Sequence, residues 1–345
     1  MLLLTRLLGA LFGLAALLQL LDLLDKAGTI LAHGGLADIG HYVGLRLPTT
    51  LAEMLPLATL VGALLAFRQL AGTQEATTLR GAGLSLGQIL GLLLPICLAI
   101  TIVHFALRTE ISPRAQRAFS DWWIVKVPPS NTDPAPPRLW LASHGDIASI
   151  DRVSLKGRRL EGIMIAQRSD QGDLLVRLDA GSALYEHGHW TLFAVRVARQ
   201  NHAEARFLPT LGWPHGPAPA NMIDLAQPVD SMTLGRLIAT LRGRWAGSQS
   251  MDFYRTQLHG TIASLFDPLL MILFAVPVLL APPRASGGGV YMASSLILGL
   301  GYLTSAGLLS ALGEAGTLPP WLAGWAALVL FSGYGGLRLI QAEGD

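Results

Sequence analysis

Six apolar stretches of about 20 residues constrain this chain more than any other feature. They are about Leu7 to Leu24, Thr50 to Leu70, Ile89 to Leu107, Thr261 to Leu280, Val290 to Leu312 and Trp321 to Ile340. An α-helix rising 1.5 Å per residue crosses a hydrocarbon core of about 30 Å in that length. A polytopic α-helical membrane protein with six transmembrane helices is therefore expected. Composition agrees, since 51% of the 345 residues are hydrophobic and 14% are charged, against about 25% charged in a soluble domain. Arg6 precedes the first stretch as it would a signal peptide, but Gln19-Leu20-Leu21-Asp22 offers no small-residue cleavage site, so a retained first helix is expected.

Net charge is +2, and only Lys26, Lys126 and Lys156 of the 25 basic residues are lysine. No polybasic tail for nucleic acid exists. The single cysteine, Cys97, lies in an apolar stretch, so no intrachain disulfide can form. Six spans place both termini on one side of the membrane. Putting them inside assigns Arg6, Arg68, Arg80, Arg284 and Arg338 to the cytoplasm and leaves Lys26 and Arg46 on the short outer loops. The excess of inner cations favours cytoplasmic termini.

The segment between Arg108 and Arg255 holds 18 basic and 14 acidic residues. Segments of this length cross regardless of charge and carry no weight in that count. This one is long enough to bury its own core, and it reads as β. Leu139 to Ala142, Asp146 to Val153, Leu160 to Gln167, Leu174 to Leu178 and Trp190 to Ala198 are short apolar runs punctuated by Gly, Asp, Ser and His. An inserted periplasmic all-β domain, sandwich or jelly-roll-like, is expected. It is entered through a helical stretch, Arg114 to Lys126, and left through Met232 to Leu241. The organisation expected is spans one to three over 1–108, the β domain with flanking helices over 109–257, and spans four to six over 258–345.

No catalytic constellation emerges. Gly83-Leu84-Ser85-Leu86-Gly87 matches the nucleophile elbow, but it runs into a membrane helix with no strand before it. His187 and His189 form a solvated turn more readily than a zinc site, because a third ligand is missing. No P-loop is present, so nucleotide phosphates would be bound by another subunit. Asp267, Glu53 and His104 are candidate functional ionisable groups at membrane depth, all close to an interface. Gly9 with Gly13, and Gly87 with Gly91, have the spacing that lets two helices approach closely.

The loop between the second and third spans is the most informative piece. It leaves the membrane at Arg68, offers Thr73 as a helix cap with Glu75 in the first turn, continues through Leu79 and Arg80, and is stopped by Gly81 and Gly83. A short cytoplasmic helix of this kind suits a permease that receives a push from an ATPase. An ordinary surface loop has the same composition.

Taken in order, several pieces resemble the LptF/LptG family, the permease subunits of the lipopolysaccharide-exporting ABC transporter. They are Asp22-Leu-Leu-Asp-Lys26-Ala-Gly28, Leu55-Pro56 to Leu65, the Glu75 to Gly83 loop, Ile111-Ser-Pro113, Pro268-Leu-Leu to Pro277, Pro283-Arg284 and Leu318-Pro-Pro320. Asp22 to Gly28 and Leu318-Pro-Pro320 look more like the LptG member. The resemblance implies a half-transporter in the bacterial inner membrane, paired with an LptF-like permease above a cytosolic ATPase dimer. It further implies that lipopolysaccharide passes to periplasmic β-jelly-roll bridge proteins, with ATP and Mg in the partner ATPase and no cofactor on this chain. The family's ATPase-coupling helix maps onto about Thr73 to Ala82, with Glu75 its acidic residue and Leu79, Arg80 and Gly81 along it. The family's headgroup-contacting basic residue maps onto Lys26. Relatives carry more lysines at the end of the first span, where this chain has Gln19 and Asp25.

Lipopolysaccharide carries phosphates and several acyl chains, so its binder needs an apolar cavity rimmed by cations. Lys26, Arg46 and Arg108 stand at the outer boundary for that role. A membrane-anchored β scaffold and an ion-coupled carrier are the alternatives. The first has no use for the Glu75 loop, and the second needs midplane charges that are missing.

Overall fold

The computed structural model describes residues 2–73, 86–127, 138–143, 146–154, 157–169, 173–199, 205–214, 216–225, 232–242, 248–280 and 288–344. The chain divides into two compact units, one of residues 1–128 with 255–345 and one of residues 129–254. Each contains its own apolar core.

The first unit is helical. Helices α1 (Leu2–His33) and α2 (Leu36–Gly72) have 32 and 37 residues, so they run about 48 and 55 Å, well beyond a 30 Å hydrocarbon core. The stretch expected as an outer loop is a continuation of both helices into an antiparallel hairpin. Its turn is Gly34-Gly35, closed by Asp38, whose Oδ2 accepts from the Gly35 N–H at 3.0 Å. A Cβ on Gly34 would lie 2.1 Å from that oxygen, so a larger residue there would displace the Asp38 carboxylate from its bond to Gly35.

Helix α3 (Leu86–Ala106) passes through a π-turn, Leu107–Ile111, into α4 (Ser112–Lys126). Residues 109–127, expected with the β domain, therefore belong to the helical unit. The reason is aromatic packing. Phe119, Trp122 and Trp123 of α4 close on His41 and Tyr42 of α2, with ring centroids 5.2 to 6.0 Å apart between the helices, and Lys126 Nζ donates to Asp38 at 3.0 Å. Further on come α7 (Met251–Ala263), a 3-10 turn (Ser264–Phe266), α8 (Asp267–Leu280), α9 (Gly288–Glu314) and α10 (Pro320–Gly344).

Among the described residues, five helical runs are long and apolar enough to cross a membrane: Leu2–His33, Leu36–Gly72, Gly91–Lys126, Met251–Leu279 and Gly289–Glu314. The sixth expected span forms α10, whose apolar character is diluted by Gly324, Ser332, Gly333, Gly335, Gly336 and Arg338. The helices α2 and α7–α8 are central, with 67% of the apolar window buried in each, against 17 to 22% in the other three. Their crossing points use small residues. A Cβ on Gly62 of α2 would fall 2.5 Å from the Leu7 Cα of α1, and one on Gly324 of α10 would fall 2.9 Å from the His259 backbone of α7.

The second unit is built on six antiparallel strands: β1 (Leu139–Ser143), β2 (Asp146–Ser154), β3 (Arg159–Arg168), β4 (Leu174–Glu186), β5 (His189–Arg199) and β6 (Arg206–Trp213). They pair in sequence order. The described strands thus form a meander, whereas a jelly roll is defined by Greek-key crossovers between two sheets. Helices α5 (Pro219–Leu225) and α6 (Leu234–Leu241) follow, and Met222 of α5 is fully buried in the sheet's core.

The sheet is creased. Inward residues alternate with period two as Ile163 and Ile165 on β3, Leu178 and Ala180 on β4, and Val195 on β5. Further along, the inward set becomes Leu160, Ala183 and Leu192, three residues from its predecessor on each strand. The residues skipped in the register, Asp151, Gly162, Gly181, Ala194 and Pro209, line up across five strands. Gly162 and Ala194 take φ of 63 and 54°, and a Cβ on Gly162 would meet the Asp151 carboxylate. One residue left unpaired at the same row of five strands shifts the inward face by one residue, and the register is the same on either side of that row.

Candidate functional site

The hairpin of α1 and α2 places polar groups opposite one another at equal distances from its Gly34-Gly35 turn. Gln19 of α1 and Thr50 of α2 are both buried, and the Thr50 hydroxyl donates to Gln19 Oε1 at 3.0 Å. One turn outward, Asp22 Oδ2 accepts from the Tyr42 hydroxyl at 2.7 Å and from Arg46 Nε at 3.2 Å. Arg46 also points Nη1 at Gln116 Oε1 of α4, 3.4 Å away, and its guanidinium carbon lies 5.4 Å from the Phe119 ring centroid. Ser112 of α4 donates to Thr49 of α2 at 3.0 Å. These contacts tie three helices at the end of the hairpin.

The three cations expected to face lipid differ in their surroundings. Lys26 is exposed and sits 2.8 Å from Asp25, its chain neighbour, a pairing of exposed groups that contributes about 0 to 1 kcal/mol. Arg108, on the π-turn, is exposed as well. Arg46 has 28% of its side chain exposed and is held by Asp22. Its planar fork locks α1 against α2 and α4. The equal spacing of Asp22 and Arg46 about Gly34-Gly35 is the sequence signal that pairs them.

Removing Asp22 leaves the half-buried guanidinium without its anion. Asp22→Ala should cost about 2 kcal/mol, read as a lowered thermal unfolding midpoint of the purified chain. Asp22→Asn keeps an acceptor for Tyr42 and should lose less. Equal midpoints for wild type and Asp22→Ala would remove this joint from the account.

Deeper groups are fewer. Asp267, which opens α8, accepts from the Tyr302 hydroxyl of α9, so this buried carboxyl joins two helices. Glu53 is exposed on α2. His104 of α3 is fully buried. At the opposite end of the hairpin, Arg6 Nη2 donates to Gln69 Oε1 at 2.8 Å, and Thr73 closes α2, its N–H donating to the Gln69 carbonyl at 3.0 Å. The expected coupling residues Glu75, Leu79, Arg80 and Gly81 lie outside the described residues, as does Ser85 of the elbow-like motif.

An apolar cavity of about 550 Å³ opens between α3, α8 and α10, lined by Leu94, Cys97, Leu270, Leu273, Trp325 and Leu328 among others. His187 and Gly188 form the two-residue turn between β4 and β5, both with positive φ. Their place in a turn takes His187 off any strand face it could share with His189, and no group of three potential metal ligands occurs among the described residues.

Long apolar helices joined by buried polar contacts, interrupted after α4 by a separate β unit, are the build of a multi-span membrane protein, consistent with a permease. Pairwise comparison with curated proteins finds no match. The sequence model of the lipopolysaccharide export system permease LptF/LptG family matches residues 1–341, and the chain belongs to that family. It is accordingly a transmembrane component of lipopolysaccharide export.

Proposed function

We propose that this chain is the LptG-type half of an ABC transporter that extracts lipopolysaccharide from the inner membrane. In this reading it crosses the bilayer six times, α10 included, with both termini in the cytoplasm and the β unit in the periplasm. It pairs with an LptF-like permease and rests on a cytosolic ATPase dimer that binds ATP and Mg. The β unit hands the lipid to periplasmic β-jelly-roll bridge proteins. Lys26 and Arg108 contact lipid phosphates, and Arg46 contributes to the same rim from its joint with Asp22. Thr73, Glu75, Leu79, Arg80 and Gly81 receive the ATPase.

The observation that carries this reading is the extent of the family match, which runs through both helical halves and the β unit without a break. Chemistry supports it. Exposed cations, Lys26 on the α1–α2 hairpin and Arg108 on the π-turn, suit phosphates, and leucine-rich faces suit acyl chains. Purification of the tagged chain in mild detergent should bring down a second permease and two copies of an ATPase, whose activity rises when lipopolysaccharide is added. A chain that purifies alone from cells expressing all components would overturn the assignment.

A further inference from the structure

His104 is fully buried in α3, and neither ring nitrogen completes a hydrogen bond among the described residues. A polar ring at membrane depth without partners is costly. Two backbone carbonyls on other helical runs, Ser264 of the 3-10 turn and Ala52 of α2, lie within interaction range of the ring, and neither meets full hydrogen-bond geometry with it. Both carbonyls stand four residues before a proline. Pro56 lies inside α2 and supplies no N–H to the Ala52 carbonyl. Pro268 supplies none to Ser264, whose carbonyl keeps only the 3-10 bond from the Asp267 N–H.

Two breaks in the helical hydrogen-bond ladder, on separate helices, thus converge on one imidazole. Broken ladders are where helices bend. A third irregularity, the π-turn Leu107–Ile111, begins three residues beyond His104 on its own helix.

We propose that His104 is the pin of a hinge at which α2, α3 and the α7–α8 run pivot on one another. Its ring takes up the proline-freed carbonyls of Ala52 and Ser264. A neutral imidazole donates through one nitrogen only, so the two carbonyls compete for a single N–H. Bonding to Ser264 ties α3 to the α7–α8 run, and bonding to Ala52 ties it to α2. Two alternative bonds give the joint two positions, the property a packed bundle needs in order to switch rather than deform.

The inference concerns the bundle itself and stands apart from what the chain transports. The test is hydrogen–deuterium exchange of the full chain in lipid nanodiscs, read over residues 53–59 and 264–270. His104→Phe fills the space without a donor and should speed exchange in both segments by up to about tenfold, the effect of losing one hydrogen bond from a local opening. His104→Gln keeps an N–H donor and should restore protection in at least one segment. Unchanged protection in His104→Phe, or a His104→Gln chain that exchanges like His104→Phe, would overturn the proposal.

Discussion

Cells that depend on Glu75→Lys are expected to lose lipopolysaccharide export while the chain reaches the membrane in normal amount. The loop holding Glu75 joins α2, the central helix of the bundle, to α3. A mechanical stroke needs a short element that docks in the moving subunit and connects directly to the helices that shift. Thr73 closes α2 two residues before Glu75. A surface acid contributes about 0 to 1 kcal/mol to stability. Loss of export with normal expression would therefore report a docking contact and not a folding defect. Glu75→Ala should be milder than Glu75→Lys, because lysine places an unpaired or like charge into the groove. Normal export from Glu75→Lys cells, with ATPase subunits copurifying at wild-type ratio, would end the coupling role proposed for this loop.

Gly62→Val is expected to be the most damaging single change in the described helices. The Cβ of any residue at 62 would lie 2.5 Å from the Leu7 Cα and 2.8 Å from its N. Backbone atoms cannot swing aside as a flexible side chain does, so the helices must separate. Separation also pulls Gln19 from Thr50 and Asp22 from Arg46, which meet only because α1 and α2 are this close. A loss of about 3 kcal/mol is expected, read as a lowered unfolding midpoint and a reduced membrane level. Gly9→Val and Gly13→Val are the controls, since a Cβ at either meets nothing within 4 Å. A Gly62→Val chain as stable as wild type would mean that α1 and α2 do not cross there.

The spacing of Gly9 and Gly13 suggested a close helix contact, and the contact lies elsewhere. Glycine spacing says that one side of a helix is narrow, but the partner backbone decides which narrow side is used. Arg46 carries the same lesson. From its sequence position it is an outer-boundary cation, and from its geometry it is also the bolt between Asp22, Gln116 and Phe119. Five strands were legible as apolar runs, but β4 was read only to Leu178. The crease at Gly181 shifts the inward set by one residue, and a period-two pattern ends where that happens. Strand β6 was not read from the sequence: Pro209 interrupts its apolar pattern, and Pro209 sits in the row where the register skips.

The sequence by itself determined that this is a helical membrane protein with an inserted β unit, because burying a backbone in lipid demands about 20 apolar residues per helix and a sheet demands alternation. Those demands are local and leave a local trace. It also determined the family, through an ordered series of short matches along the chain. Only the tertiary structure decided which helices are central, where backbones touch, that α1 and α2 continue into one long hairpin, and that His104 is buried near two proline-freed carbonyls. Each of these depends on residues separated by tens to hundreds of positions, and one residue's chemistry does not encode the distance to another. The crease of the sheet belongs to the same class, since an extra residue in one strand is a local defect and becomes a fold line only when its neighbours carry one at the same row.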